Sequence, residues 1–450
     1  MLEKNQCYIT DITDLTAEGN GVCRIDDMVV FVPATAVGDK LRVKIVKVLK
    51  NYAFGIVDEL ISASPDRVES DCVVSKKCGG CLFRHVSYEA ECKVKNDIVK
   101  NAFTRIASLN PEFDEFMPCN QTLHYRNKAQ YPLAVNDGKA VCGFYAPRSH
   151  RVIPVNDCAL QPDVFSEILD VILEYINVYN LEIYNEVTHK GLLRHIYIRK
   201  GEHTNEIMVC FVVRTDCSKI LLPVCSKLVG TFENIKSIVM NINPDKTNVI
   251  LGKRIITLYG KDTITDVMCG NIIEISPLSF YQVNTLQAER LYAKALEYAS
   301  PSKDSVIADL YCGAGTIGLS MSKNARNIIG VEIVPEAIEN AIKNASINSV
   351  SNAEFFCGDA GKIFSQLRKN GCSPDIIVID PPRKGCSTET LEVIADAKPG
   401  KIVMISCNPA TAARDAKWLC DNGYILKKVC GVDMFPRTGH VECVGQFELK

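Results

Sequence analysis

The sequence predicts an α/β protein. Its C-terminal part reads as a doubly wound, Rossmann-like sheet, its N-terminus as an OB-like β-barrel, and the region between them as α+β. Three observations carry this. From about Ile272 onward, strand-like and helical stretches alternate, as in a parallel sheet covered by helices. Residues 1–62 hold short strand-like runs at even spacing, the mark of a small barrel. The chain has 450 residues, room for about three domains at ~150 residues each.

Composition sets the bounds. Lys and Arg total 51 and Asp and Glu 53, for a formal net charge of −2, with 47% apolar and 23% charged residues. A disordered chain needs low hydrophobicity and high net charge and is excluded. No apolar stretch approaches the ~20 residues of a membrane span. The start, Met1-Leu2-Glu3-Lys4-Asn5-Gln6, lacks the basic and apolar regions of a secretory signal. A cytoplasmic protein without membrane contact is therefore expected. No obligate protein partner is evident, and a monomer is the default. The 21 cysteines are unusual. Without a signal peptide, clustered cysteines point to metal or catalysis rather than disulfides, and the remainder are small buried hydrophobes.

In the first 62 residues, Gln6–Leu15 alternates, Glu18-Gly19-Asn20-Gly21 turns, Met28–Pro33 is apolar, Leu41–Leu49 alternates and Tyr52–Ile61 closes the set. Ser62-Ala63-Ser64-Pro65 reads as a linker. Over Glu91–Ala107, Val94, Ile98, Ala102 and Ile106 share one helical face. Residues 70–270 form the central domain, without one clear period between Tyr125 and Met268. Residues 271–450 carry the strands Val306–Leu310, Asn327–Glu332, Ala353–Cys357, Asp375–Asp380 and Lys401–Ser406. Pro335–Ile347 and Thr388–Ala397 are helical between them. Tyr424–Asp433 and Val441–Leu449 end the chain as a hairpin.

Ligand chemistry concentrates at the carboxyl ends of these strands, where open α/β sheets bind. The first strand runs into Asp309-Leu310-Tyr311-Cys312-Gly313-Ala314-Gly315, whose glycines let backbone approach a ligand. The second ends at Glu332, an acid able to accept from ribose hydroxyls. The third is followed by Asp359, placed to meet an adenine edge. A plain tight turn is the blander reading. The spacing is not G-x-G-x-x-G, so S-adenosylmethionine, which needs no pyrophosphate cradle, is favoured over a dinucleotide.

Strand Lys401–Ser406 leads directly into Cys407-Asn408-Pro409, with Asn408 as N-cap and Pro409 as first helical residue. A helix N-terminus lowers a thiol's pKa, so Cys407 is a candidate nucleophile. Asp380, in Asp380-Pro381-Pro382-Arg383, faces the same crevice. Glu442, in His440-Val441-Glu442-Cys443, is a candidate base. A structural Cys407 and a merely exposed Glu442 are the alternatives.

Cys72, Cys78 and Cys81 fall within ten residues around Gly79-Gly80, and Cys158 can join from afar. Four thiolates suit zinc or a [4Fe–4S] cluster. Zinc more usually comes with a second C-x₂-C pair, absent here. The C-x₃-C-x₂-C of radical enzymes is absent too, which favours a structural cluster or one that supports substrate binding. Residues 124–154 carry a local balance of +4 through Arg126, Lys128, Lys139, Arg148 and Arg151 against Asp137, interleaved with Tyr125, Tyr131, Phe144 and Tyr145. Residues 189–203 add Lys190, Arg194, Arg199 and Lys200 against Glu202. Basic groups neutralise phosphates and aromatics stack on unpaired bases, although a solvated face is the commoner meaning of such runs.

Together these stretches resemble the RNA 5-methyluridine (uracil-C5) methyltransferase family. The likeness also rests on Tyr125-Arg126-Asn127-Lys128, Gly191-Leu192-Leu193-Arg194-His195, Ser279-Phe280-Tyr281-Gln282-Val283-Asn284 and Asp433-Met434-Phe435-Pro436. It is greatest to the enzymes acting on 23S ribosomal RNA. The resemblance implies a TRAM barrel over 1–62 and a methyltransferase sheet over 271–450. It implies a [4Fe–4S] cluster on Cys72, Cys78, Cys81 and Cys158. It also implies an S-adenosyl-L-methionine site of Gln282, Tyr311, Glu332, Asp359 and Asp380, with the helix near 91–107 packed on the catalytic domain. Cys407 would add to uracil C6 and Glu442 would remove the C5 proton. RNA is then the partner, ribosomal first and transfer RNA second. Two further readings compete. Amino-group methylation expects an aromatic residue where Arg383 stands. A non-catalytic RNA-binding assembly factor would not need Cys407 and Glu442.

Overall fold

The computed structural model describes residues 2–450. The N-terminal barrel is built from β1 (Cys7–Asp11), β2 (Asp14–Leu15), β3 (Asn20–Ile25), β4 (Met28–Pro33), β5 (Lys40–Val48) and β6 (Tyr52–Ser62). They lie in the order β1-β5-β6-β4-β3-β2, with β1 against β3. Alternation drives it: Leu41, Val43 and Ile45 turn inward with Val30, Val32 and Ala53, while Lys40, Arg42 and Lys47 face water.

The expected helix begins three residues earlier, as α1 (Tyr88–Asn101), capped by the Ser87 side chain, and its last turn over Ala102–Ile106 widens to a π-helical turn. After it comes β7 (Glu112–Phe113). The central region is one sheet rather than the irregular mixture its sequence suggests. It contains β8 (Lys128–Asn136), β9 (Lys139–Tyr145), β10 (Val152–Pro154), β11 (Leu193–Lys200), β12 (Ile207–Val213), β13 (Ile235–Ile242) and β14 (Arg254–Gly260). The helices α2 (Asp163–Val178) and α3 (Ser218–Thr231) pack against its apolar face. Strands β11 and β12 are buried along both faces, which erases the period of two that would have announced them.

A short hairpin, β15 (Ile264–Met268) and β16 (Asn271–Ile275), leads to α4 (Thr285–Ala299) and the third sheet. In chain order this comprises β17 (Val306–Leu310), α5 (Thr316–Met321), β18 (Asn327–Glu332), α6 (Pro335–Ile347), β19 (Ala353–Cys357), α7 (Ala360–Lys369), β20 (Ile376–Ile379), α8 (Thr388–Ala397), β21 (Lys401–Ser406), α9 (Pro409–Asp421), β22 (Tyr424–Val432) and β23 (Glu442–Leu449). The order is β19-β18-β17-β20-β21-β23-β22-β7, parallel from β19 to β21. Strand β23 is inserted antiparallel between β21 and β22. The topological switch lies between β17 and β20, which fixes where a ligand can enter.

Two elements from the first quarter of the chain complete this sheet. Strand β7 pairs with the edge of β22, and α1 with its π-turn packs on α9 and β22. Among the described residues no helix is long and apolar enough to cross a membrane.

Candidate active site

Cys407 follows the last residue of β21, and the helix behind it starts as its sequence dictates. Asn408 Oδ1 accepts from the Ala410 N–H at 3.1 Å, and Pro409 occupies the first turn. The Asn408 amide donates to the Arg383 carbonyl at 3.0 Å. That bond ties the loop after β20, and so Asp380, to the start of α9. Across the sheet, Ser406 pairs with Cys443 in the β21–β23 ladder. Cys407 and Glu442 are therefore the next opposed positions, a spacing at which cross-strand side chains meet. Glu442 is buried, at 5% exposure.

Electrostatics here differ from the sequence expectation. The helix N-terminus was expected to lower the Cys407 thiol; instead the thiol is raised, by burial and then by the carboxyls of Glu442 and Asp380, with Arg383 opposing. Burial and Asp380 push Glu442 up to about 8. Burial and Asp309 push Asp380 up to about 7. Asp309, with Oδ2 on the Gly318 N–H at 2.8 Å and Oδ1 without a partner among the described residues, is itself pushed to about 7, chiefly by burial. Arg383 lies 3.3 Å from His440 Nε2 and is the cation that opposes the rise at Glu442 and Cys407.

Gln282, Tyr311 and Asp380 line one pocket at the end of β17, with Phe280, Tyr292 and Gly313. Tyr311 is held at φ 69°, a left-handed conformation costing a non-glycine residue roughly 1–3 kcal/mol. Gly313, at φ 54°, leaves open space where a Cβ would stand, whereas a Cβ on Gly315 would meet the Phe355 ring at 3.0 Å. The first glycine thus keeps a cradle clear and the second permits packing. Glu332 and Asp359 do not line that pocket. Glu332 braces the turn, accepting from the N–H of Gly313 at 3.2 Å and of Val334 at 2.9 Å. Asp359 caps α7 through the Lys362 N–H. The pocket residues present suit a cofactor that carries a positive charge: the Asp380 carboxyl lines the pocket together with a glycine turn that Gly313 keeps clear.

Cys72, Cys78, Cys81 and Cys158 line a single cavity of about 300 Å³ with Arg84, Arg126 and Lys128. Among the described residues no group of three or more His, Cys, Asp and Glu side chains is gathered tightly enough for a single metal ion. The thiol-only donor set, the space it encloses and the cationic surround suit a larger anionic group such as an iron–sulfur cluster.

The basic stretches need correction. Arg194 and Arg199 are buried, at 2% and 0% exposure. Arg194 donates to the carbonyls of Asn243 and Asp245, and Arg199 to those of Ser276 and Ser279. Tyr131 is also buried, on the interior strand β8, and so is Tyr125, whose hydroxyl donates to the Pro436 carbonyl at 3.0 Å. Lys139, Arg148, Arg151 and Lys190 remain exposed. Sequence reasoning did not single out Asp309, which opened a quoted motif, or Phe280, whose 69% exposure beside the pocket is invisible in a sequence.

Residues 270–448 match the family described as tRNA (Uracil-5-)-methyltransferase, and residues 6–57 match the TRAM domain. A protein of Oceanobacillus iheyensis, described as an uncharacterized RNA methyltransferase, is 42% identical over 100% of this chain and 98% of its own. A Clostridium tetani protein of the same description is 42% identical over 98% of this chain and 96% of its own. Among solved structures, the Pyrococcus abyssi tRNA (uracil-54, C5)-methyltransferase, in complex with S-adenosyl-L-homocysteine, aligns with a TM-score of 0.77 at 27% identity, covering 98% of this chain and 100% of that one. The chain belongs to the RNA methyltransferase family of these relatives, with an N-terminal TRAM domain and a C-terminal α/β sheet that matches the tRNA (Uracil-5-)-methyltransferase domain.

Proposed function

We propose that the protein methylates C5 of a uridine in RNA by covalent catalysis, with Cys407 as nucleophile and Glu442 as base. The observation that carries this reading is the register of β21 against β23, which opposes residues 407 and 442 beside the pocket of Gln282, Tyr311 and Asp380. S-adenosyl-L-methionine, bound in that pocket, supplies an electrophilic methyl group. Uracil C5 is a weak nucleophile. Cys407, after losing its proton, forms a bond from Sγ to C6, and the C5–C6 π pair moves onto the O4 enolate. C5 then carries enough electron density to take the methyl group, whose bond to the sulfonium sulfur breaks with its electron pair left on that sulfur, giving S-adenosyl-L-homocysteine. Glu442 removes the remaining C5 proton, the C5–C6 double bond re-forms, and Cys407 leaves with its electron pair. The target base must leave its stack to present C5 and C6 together, and the exposed Phe280 ring offers it a stacking surface.

Gln282 and Tyr311 hold the cofactor, Asp380 sits at its junction with the base, and Glu332 and Asp359 fix the turns that shape the site. In this reading Cys72, Cys78, Cys81 and Cys158 hold a [4Fe–4S] cluster in the cavity they line with Arg84, Arg126 and Lys128. Anaerobic purification should yield about four irons per chain, as a Cys₄ site of this type carries, and Cys158→Ala should lose them.

The substrate is a uridine of 23S ribosomal RNA, the reading that the sequence motifs support. A second reading, a transfer RNA uridine, is favoured by the full-length similarity to a tRNA (uracil-54, C5)-methyltransferase. Mapping 5-methyluridine in ribosomal and transfer RNA, with and without the gene, decides between them. Loss from neither pool would overturn the assignment. At the site itself, Cys407→Ala should abolish methyl transfer while RNA binding persists, and normal turnover by that variant would remove Cys407 from the chemistry.

A further inference from the structure

Residues 433–440, in the chain between β22 and β23, carry no catalytic group in the proposed reaction, yet their clasp is built from distant parts of the sequence. Lys95 of α1, fully buried, places Nζ 2.7 Å from Asp433 Oδ1, 2.7 Å from Glu91 Oε1 and 3.1 Å from the Phe435 carbonyl. The Tyr88 hydroxyl donates to the other Asp433 oxygen at 2.8 Å. The Arg437 N–H donates to Glu91 at 2.7 Å, and its carbonyl accepts from the N–H of Leu82, next to Cys81, at 2.8 Å. The Asn284 amide donates to the Met434 carbonyl at 3.1 Å, two residues from Gln282 of the cofactor pocket. One strap therefore joins α1, the cysteine loop and the pocket wall. It ends beside Glu442, whose strand partner Val432 immediately precedes Asp433.

We propose that Lys95 is a positioning residue for the methyl-transfer reaction: its buried ammonium pins the strap 433–440, and the strap sets where Glu442 stands relative to Cys407. A loop satisfied only by water would open locally at little cost. An ammonium enclosed by two carboxylates and a carbonyl cannot leave without stranding buried charge. The proposal rests on the assignment of Glu442 as base and adds what holds that base in place. Its consequence is a split between two half-reactions. Addition of Cys407 depends on the β21–α9 junction, which the strap does not build. Release of Cys407 depends on Glu442 reaching the C5 proton, which the strap controls.

The test uses the full-length protein with total RNA from a strain lacking this gene and radiolabelled S-adenosyl-L-methionine. Lys95→Met takes the shared cation from two buried carboxylates and weakens folding, so Tyr88→Phe, which keeps the charge balance, is measured beside it. Turnover should fall at least tenfold in Lys95→Met and several-fold in Tyr88→Phe. The covalent protein–RNA band on a denaturing gel should rise several-fold in both, with RNA retention within twofold. Hydrogen–deuterium exchange over 433–443 should quicken in both. A merely structural role would lower band and turnover together, and that result, or unchanged exchange, overturns the proposal. Glu442→Gln serves as the control. No band there overturns the base assignment beneath the proposal, whereas a band there with none in the Lys95 and Tyr88 variants overturns the strap alone.

Discussion

Cys407 and Glu442 stand opposed one step beyond the Ser406–Cys443 pair that ends the β21–β23 ladder. The register of a strand pair thus brings the proposed nucleophile and the proposed base together, and burial first, with neighbouring carboxyls second, sets how each titrates. Burial and Asp380 hold Glu442 up at about 8, and the carboxyls of Glu442 and Asp380 help raise the thiol. In the proposed mechanism both groups act deprotonated, so kcat/KM should climb with pH through about 8 as Glu442 ionises and keep climbing beyond it, because the thiol is held above its usual 9. Asp380→Asn removes a neighbouring negative charge and should move that rise to lower pH at saturating cofactor. The check is the pH profile of methyl transfer for both proteins. A wild-type midpoint near 4.5 would contradict the buried-carboxyl account.

The raised Glu442 also leaves a mark on stability. In the unfolded chain this carboxyl ionises near 4.5, and in the fold near 8. The folded state therefore holds a proton that the unfolded state has released, and stability from the neutral carboxyl, complete below pH 4.5, drains away as pH rises to about 8. Glutamine has no proton to lose. Glu442→Gln should match the wild type at pH 5 and exceed it at pH 8.5 by roughly 3–5 kcal/mol. Urea unfolding at the two pH values measures the gap, and a gap of equal size at both would exclude linkage as its origin.

A methyl group at Gly313 tests the cofactor cradle. No heavy atom lies within 4 Å of its ideal Cβ, so Gly313→Ala meets no protein wall. At φ 54° the left-handed backbone should cost about 1 kcal/mol. Its main effect should be to occupy the space beside Tyr311. S-adenosyl-L-homocysteine affinity, measured by calorimetry, should fall tenfold or more while the melting temperature barely moves. Unchanged affinity would place the ligand elsewhere.

These sites differ in how far the sequence foretold them. The strands β17, β18, β19 and β21 are legible to the residue, because apolar runs end in glycine or acid turns at fixed places. The central sheet is not legible, because β11 and β12 are buried on both faces and show no alternation. Arg194 and Arg199 looked like phosphate contacts, since burial has no signature in a charged residue's own letter. Cys407 was legible as a position, after a strand and before Asn-Pro. Its proton affinity was not, because that depends on burial and then on Glu442 and Asp380, which only strand register and the β20–α9 tie bring close. Lys95 and Asp433, 338 positions apart, leave no local pattern at all.

The junction between barrel and body gives a last expectation. Asp39 is fully buried and accepts from the N–H of Ala36 at 2.6 Å and of Ser64 at 3.0 Å, and from Arg67 Nε and Nη2 at 2.7 Å each. Burial alone would raise its pKa, but Arg67 and the two backbone N–H groups outweigh burial and hold it below the usual 3.8. The stability this carboxylate contributes is therefore present above pH 3.8 and is lost as pH falls below that value. Arg67→Ala leaves the charge buried with only two donors, at a cost of about 3 kcal/mol. The loss falls on the hinge itself, since Arg67 also donates to the Ala34 carbonyl at the end of β4. Limited proteolysis should then cut within residues 62–68. RNA binding should weaken as the barrel swings away from Gly439, whose Cα already leaves no room for a Cβ against the Ala17 carbonyl. Cleavage appearing first inside the catalytic sheet, with residues 62–68 still protected, would show that Arg67 is not what fastens the barrel.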